Sequence, residues 1–412
     1  MGKIAKLIKQ HFLSGRERIF YTFMSFGIFT FFVSGLISRG YSYYNLFQSN
    51  RSDYFMDFYN PLSELLNGPY AHGSIYPPLP ALFYKILLRM IPFNIASHGA
   101  FAIRSSQAGE MVFLMYVLLT LFAFFVLVTE IKRNSKFGKY LLSFTLLFSG
   151  PFLFTFERGN IIFVALLFLM LFVFFKDSKK TFIREVALVS LAIAAAIKLY
   201  PVIFLVLLFK EKRFAESIRV IIYGLILFFF PFFLMGGLGQ LPILLKNITT
   251  TSNEQLAWGV GYSVNIESIV RIIGALVGNS GGNPIFIGRI VSYIVLLTGL
   301  IAAYFMKSQW KAVALLTLLM ILVPIISFEY ALIFMIIPLI LFLDKGTKQE
   351  KYDYLYLICF LLVFIPFTFG NVDSINYSFG AYARPLTYGV LLQNISMTVM
   401  TILLLLNIKR KN

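Results

Sequence analysis

The sequence predicts an all-α fold, a polytopic transmembrane helical bundle of about 11 to 12 passes, and three observations carry that reading. The chain is 59% hydrophobic and 17% aromatic with only 13% charged residues, and its mean hydropathy is +0.81; a soluble globular chain carries roughly 25% charge. Apolar runs such as Ile19 to Ser38 and Leu386 to Asn407 reach the roughly 20 residues that a helix needs to cross the hydrocarbon core. These runs lack the alternation of barrel strands, so helices must satisfy their backbone groups in lipid. The basic residues, finally, gather in short loops between the runs, which orients the chain.

Taken in order with the N-terminus inside, the passes fall near 19–38, 111–129, 140–156, 161–175, 220–235, 285–305, 312–326, 331–343, 354–369 and 386–407. The first run follows Lys3, Lys6, Lys9, Arg16 and Arg18 and lacks a small-residue cleavage site, so it reads as a retained anchor. Loops assigned to the inside hold 25 of the 36 Lys and Arg, which puts both termini in the cytoplasm. The stretch 186–209 is flanked by two basic loops, FKDSKKTFIRE and FKEKRFAESIR, so both its ends are cytoplasmic. It is too short to cross twice at about 1.5 Å per residue. A hairpin of two short helices turning at Lys198, Leu199, Tyr200 and Pro201 resolves the conflict, because Pro201 cannot continue a helical ladder. Lys198 then sits at membrane depth.

Three longer segments fall outside: 39–110, 236–284 and 370–385. The first carries YPPLPALFYKILLRMIPF, with Lys85 and Arg89 at i and i+4, and reads as an amphipathic helix on the outer membrane surface. The second carries NIESIVRIIGALVG, another short amphipathic helix. No repeat, low-complexity tract or long linker divides the chain, so residues 1–412 are expected to form a single integral membrane domain.

Several function classes are excluded by composition. The formal charge is +18, but its confinement to short loops argues against nucleic acid. Cys359 is the only cysteine, so no intrachain disulfide exists. His11, His72 and His98 have no metal-ligand spacing, and no metal or other cofactor is expected. No Gly-rich loop joins a strand to a helix, which argues against ATP or soluble sugar nucleotides as direct substrates.

Polar groups within or beside the bilayer are costly and therefore mark candidate sites. Asp53 and Asp57 in RSDYFMDFYNP are four apart, which on a helix puts both carboxylates on one side. They read as a general base with a supporting acid, raised in pKa by burial and by each other, or as a solvated pair answering Arg51. Lys198 reads as a phosphate ligand at membrane depth or as a snorkelling cation. Glu157 and Arg158 in TFERGN form either an internal salt bridge across a short turn or a substrate contact. Glu267 and Arg271 share one helix face as an ion pair or as contacts to a phosphate or acceptor sugar. Glu329 and Tyr330 interrupt an apolar run in PIISFEYALIF, and Arg384 is a further outer-face candidate.

The order of these residues resembles a known class. Asp53-Tyr-Phe-Met-Asp57-Phe-Tyr is followed by Asn67-Gly68-Pro69-Tyr70, Tyr76-Pro77-Pro78-Leu79, Arg158-Gly159-Asn160, Ala196-Ile197-Lys198-Leu199-Tyr200-Pro201 and Ser327-Phe328-Glu329-Tyr330-Ala331-Leu332. Over residues 20–345 this resembles the GT-C class of membrane glycosyltransferases, in particular the bacterial branch of polyprenyl-phosphate-mannose-dependent alpha-mannosyltransferases. The class often has Gly-Gln where this chain has Gly159-Asn160, and a His where this chain reads Phe328-Glu329-Tyr330. Glu329 is then expected to take over that polar contact.

The resemblance implies a polyprenyl-phosphate sugar donor that enters from the bilayer, and a glycan or glycolipid acceptor. It implies a base in the first outer loop, Asp53 or Asp57, and Lys198 on the donor phosphate. Tyr76, Glu157, Arg158, Asn160, Glu267, Arg271, Glu329, Tyr330 and Arg384 are the expected substrate contacts. Reaction at the outer face of a bacterial cytoplasmic membrane, in polysaccharide or glycolipid synthesis, follows. Two other readings remain: a polysaccharide polymerase working through Arg271 and Arg384, and a lipid-linked glycan transporter or flippase using Lys198 and Glu329.

Overall fold

The computed structural model describes residues 13–47, 51–131, 136–254, 260–278, 282–344, 350–372 and 385–407. Among the described residues there is no strand, only the isolated bridges Ser263 with Phe328 and Asn371 with Thr387. Five helices are long and apolar enough to cross a membrane: Gly15–Ile37, Gln107–Ile131, Phe214–Phe233, Gly282–Phe305 and Tyr388–Leu406. The pair Gly138–Leu147 and Gly150–Arg158 passes the same length and composition test only when taken together across a 53° bend, with Pro151 in the first turn of its second helix, where a missing N–H costs nothing. The chain is a multi-pass helical membrane protein.

The passes expected at 161–175, 312–326, 331–343 and 354–369 form the shorter helices Ile162–Phe175, Gln309–Leu322, Ile336–Leu343 and Asp353–Phe364. Prolines account for two of the early stops. Ile365 is extended, with ψ 129, directly before Pro366, as proline's Cδ demands of its neighbour. Pro324 likewise cannot extend the ladder beyond Leu322. Helix Gln309–Leu322 is sheathed by protein, with every side chain from Trp310 to Leu322 buried, as expected for a helix that is apolar all round, whereas Asp353–Phe364 leaves Tyr354 and Ile358 exposed.

The described chain falls into two compact units. One takes residues 1–49, 124–154 and 258–412. Its first helix, Gly15–Ile37, opens on a capping box: the Glu17 amide donates to Ser14 Oγ at 3.2 Å and the Ser14 amide to Glu17 Oε2 at 2.7 Å. Arg16 meets Asp353 at 3.3 Å with both side chains buried, fastening this helix to Asp353–Phe364. Helix Ile266–Leu276 lies against Gly282–Phe305, where a Cβ on Gly288 would stand 2.8 Å from the Glu267 Cα; only glycine lets the two backbones meet.

The other unit takes residues 50–123 and 155–257, and it contains the expected hairpin. Its first arm is one helix, Thr181–Ile197, longer than expected because Arg184 and Glu185 of the basic loop are helical. Lys198 breaks it in an extended conformation (φ −137, ψ 124), and the chain returns through the 3-10 turn Tyr200–Phe204 and helix Leu205–Lys210. Both ends are fastened together. Lys176, 1% exposed, pairs with Asp177 at 2.9 Å and with Glu211, while Arg213 donates to the Lys176 carbonyl at 2.8 Å and to Asp177 at 2.9 Å. The 17 residues of the first arm carry Lys198 about 25 Å from this ionic end.

Helix Pro78–Leu88 packs against the first arm of the hairpin. Helix Pro78–Leu88 occurs as expected, but its face of Ala81, Tyr84 and Leu87 is buried against protein, and Lys85 donates to the Leu234 carbonyl at 2.8 Å, capping helix Phe214–Phe233. Helix Gln240–Glu254, which hydropathy did not single out, is held by Asn247, whose amide donates to the Tyr70 and Ser74 carbonyls at 2.9 and 3.0 Å.

Candidate active site

The site is assembled around the sharp turn at Gly159. Helix Gly150–Arg158 ends there because Gly159 adopts φ +65, a left-handed cap that L side chains resist. A Cβ at that position would also lie 3.0 Å from Phe58 Cβ and 3.0 Å from the Phe113 ring. The turn sends Arg158 and Asn160 to the same place from opposite sides. Arg158 donates to Asp53 Oδ2 at 2.7 Å and also to Asp57 Oδ1. Asn160 Nδ2 donates to Asp57 Oδ2 at 2.8 Å, and its orientation is not free: Oδ1 accepts the Ile162 amide at 2.9 Å, capping helix Ile162–Phe175.

The aspartates reach this point by a route the i, i+4 spacing did not anticipate. Asp53 lies in the 3-10 turn Arg51–Asp53, and helix Met56–Glu64 starts only after Phe55, which is left-handed at φ +63. The two carboxylates are therefore brought together by one shared guanidinium, not by helical periodicity. Phe55 is held there by its amide, which donates to the Glu157 carbonyl at 2.8 Å, and by its ring 4.8 Å from that of Phe113. A strained backbone kept by surrounding contacts is common at functional sites. Glu157 itself is 5% exposed, and its hydrogen bond to Phe55 runs through the main chain; Arg158 spends its guanidinium on the aspartates, so the turn is not closed by a simple Glu157–Arg158 bridge.

Tyr76 links this cluster to the hairpin tip. Asn160 Nδ2 lies 3.4 Å from the Tyr76 hydroxyl, and Lys198 Nζ sits over the Tyr76 ring, 4.4 Å from its centroid. The Lys198 ammonium and the Asp57 carboxylate are thus separated by one phenol ring and one side-chain amide, through three contacts. Asp53, Asp57, Arg158, Asn160, Tyr76 and Lys198 consequently form one cluster. Its polar parts are half-shielded, with Asp57 and Asp53 side chains 20% and 40% exposed, so electrostatic interactions there are stronger than in open water.

Three contributors were not legible in the sequence. Arg104 donates to the Ser52 and Tyr54 carbonyls at 2.6 and 3.1 Å; Tyr84 donates to the Asp57 carbonyl at 3.3 Å; Tyr116 donates to the Asn160 carbonyl at 3.0 Å. Each acts on a main-chain oxygen, for which no side-chain motif gives a signal.

The other expected contacts belong to the other unit. Glu267, 5% exposed, meets Arg289 Nε at 3.4 Å rather than forming the expected close pair with Arg271, which is buried in its own right at 7%. Burial lowers the Arg271 pKa and Glu267 opposes that shift. Asn265 caps this helix and donates to the Ile325 carbonyl at 2.7 Å, while the Glu329 amide donates to the Tyr262 carbonyl at 3.1 Å. Glu329 is 3% exposed, and Tyr330 packs its ring 5.6 Å from Phe328. Arg384 lies outside the described residues.

At the hairpin turn, an apolar recess of about 260 Å³ opens between Leu191, Ala195, Leu199, Val202, Leu225 and Phe228, among other apolar residues, and its lining includes Leu199 but not Lys198. Among the described residues no group of His, Cys, Asp or Glu is arranged to hold a metal ion.

A family model, glycosyltransferase family 87, matches residues 74–328, more than half of the chain. The matched span includes Tyr76, Arg158, Asn160 and Lys198, and leaves the two aspartates and Glu329 outside it. No curated protein and no solved structure matches the chain. A glycosyltransferase embedded in lipid is consistent with the cluster of carboxylates and cations described above, and the chain belongs to glycosyltransferase family 87, a membrane family of GT-C type.

Proposed function

We propose that the protein transfers a sugar, with mannose the first to test, from a polyprenyl-phosphate-linked donor to a glycan or glycolipid acceptor at the outer face of a bacterial cytoplasmic membrane. The acceptor hydroxyl gives its proton to an aspartate as its oxygen attacks the anomeric carbon. The bond from that carbon to the phosphate oxygen breaks, the electron pair leaves with polyprenyl phosphate, and the configuration inverts. Lys198 neutralises the charge that grows on the departing phosphate, a contribution of several kcal/mol where water is scarce.

The observation that supports this reading is the Lys198–Tyr76–Asn160–Asp57 connection, which the shared Arg158 guanidinium extends to Asp53, so that a cation and the base belong to one cluster. The recess at the hairpin turn supports a lipid-linked donor, because its apolar lining suits a hydrocarbon chain and not a nucleotide. Asp53 is the better placed base. Both carboxylate oxygens of Asp57 are engaged, by Arg158 and by Asn160, whereas no hydrogen bond among the described residues engages Asp53 Oδ1. Asp57 then serves to hold Arg158 and Asn160.

The test is to incubate purified protein with polyprenyl phosphomannose, phosphoglucose and phosphogalactose and a panel of acceptor glycolipids, in detergent, where transport cannot occur. Wild type is expected to release polyprenyl phosphate from one donor, with Asp53→Asn and Lys198→Ala losing at least about 100-fold in rate. Full activity in both variants on a donor that the wild type uses would overturn the proposal, and retained activity there with loss in Arg271→Ala would favour a polymerase.

A further inference from the structure

The geometry points to Arg104 as a positioning residue for the catalytic carboxylate, an inference that rests on the reading of Asp53 as the base. Three consecutive main-chain carbonyls of the first loop accept from guanidinium groups. Arg104 Nη1 takes Ser52 O at 2.6 Å and Tyr54 O at 3.1 Å, and Arg158 Nη1 takes the intervening Asp53 O at 3.1 Å. An arginine Nη carries two hydrogens, so one nitrogen of Arg104 serves both of its carbonyls.

No helical ladder fixes the backbone at Asp53, which Arg158 and the Phe55 amide hold from one side. Asp53 ends a three-residue 3-10 turn, and the left-handed Phe55 that follows prevents the helical ladder of Met56–Glu64 from reaching back to it. Arg104 adds a second constraint, on the two carbonyls that flank Asp53. It closes the short helix Ala100–Arg104, which packs against Met56–Glu64, and its guanidinium rests on the Phe101 ring 5.2 Å away, so the fork is itself held in place. Its two hydrogen bonds flank Asp53 on either side and touch neither carboxylate. Arg104 therefore sets where the Asp53 carboxylate stands without altering its bonding partner, Arg158.

Turnover by purified full-length protein, read as polyprenyl phosphate released from the donor that the wild type uses, tests this role. In Arg104→Ala, kcat is expected to fall about 10- to 100-fold, the range for a catalytic group displaced by about an ångström. Donor KM should stay within about twofold, since Lys198 and the recess are untouched. Added guanidinium chloride should restore part of the rate to Arg104→Ala and none to Asp53→Asn. Arg104→Lys keeps the charge on a side chain too short to bridge both carbonyls and should fall between. The double variant Asp53→Asn/Arg104→Ala, followed in single turnover, should be no slower than Asp53→Asn alone.

Wild-type kcat in Arg104→Ala, alongside an inactive Asp53→Asn, overturns the inference while leaving the base in place. A full multiplicative loss in the double variant also overturns it, because Arg104 would then act on something other than Asp53. If Arg104→Ala does not fold, unchanged kcat in Arg104→Lys overturns it. Full activity of Asp53→Asn instead overturns the base assignment, and the inference falls with it.

Discussion

Gly159 is where the backbone and the site are most tightly bound together, and Gly159→Ala is expected to cost about 2–5 kcal/mol of stability. Two contributions make up that figure. At φ +65 an L side chain pays about 1–2 kcal/mol for the left-handed conformation. The new methyl would also stand 3.0 Å from Phe58 Cβ and from the Phe113 ring, and 3.5 Å from the Phe55 carbonyl. Those rings cannot recoil freely: Phe58 lies 5.1 Å from both Phe113 and Tyr116 and 5.8 Å from Tyr84. Overpacking of this kind costs about 1–3 kcal/mol. Gly73→Ala is the control, since Gly73 has φ +87 but nothing within 4 Å of the new methyl, so only the conformational cost applies. Because Arg158 and Asn160 flank Gly159, any relief of the clash moves both groups that hold Asp57, and kcat should fall with stability. Thermal unfolding of the detergent-purified proteins, followed by donor turnover at a temperature where all are folded, measures both effects. Equal melting temperatures for the two alanine variants, with wild-type turnover in Gly159→Ala, would refute the packing argument.

Three further outcomes are expected. Lys176→Met should loosen the hairpin ends by about 1–3 kcal/mol, less than a fully buried pair because Asp177 and Glu211 are 56% and 35% exposed; faster proteolysis at the 176–213 loops is the readout, and unchanged cleavage would count against the clamp. The Glu64 pKa is raised, chiefly by burial, with the His72 charge opposing. The folded chain then holds that proton more tightly than the unfolded chain, so ionisation removes stability as pH rises through the usual carboxylate range and beyond; Glu64→Gln should raise the melting temperature near neutral pH and have no effect at about pH 3. For orientation, Ser97→Cys should react with a membrane-impermeant maleimide in intact cells and Thr181→Cys only after lysis, with buried Cys359 silent in both; the reverse pattern would invert the topology.

Hydropathy located the long helices well because a span in lipid must be apolar over its whole length, and Phe23, Phe26 and Phe29 of Gly15–Ile37 accordingly remain exposed at 53%, 65% and 64%. The shorter apolar runs also fall on helices, two of which end earlier than expected. Gln309–Leu322 and Ile336–Leu343 are apolar because protein surrounds them, and burial in protein gives the same composition as burial in lipid. Helix Gln240–Glu254 went unnoticed because its apolar face is only Leu241, Leu244 and Ile248, packed at Tyr70 and Phe232, and its second half is polar, with Asn247 fastened to two carbonyls.

At the site, residue type was legible and partnership was not. Charges placed in an apolar sequence single out Asp53, Asp57, Arg158 and Lys198, since the bilayer makes each of them costly. Which cation answers which carboxylate depends on a left-handed Phe55, a left-handed Gly159 and the shared guanidinium between them. The amino-acid sequence alone determined the helical class, the hairpin turning at Lys198 and the set of polar groups held against lipid. Only the tertiary structure decided that Arg158 divides itself between two aspartates, that Asn160 is locked by a helix cap, and that Arg104 grips the loop by its carbonyls. The physical reason is that solvation cost is a property of each residue in turn, whereas hydrogen bonds to main-chain oxygens exist only once distant segments have been brought together.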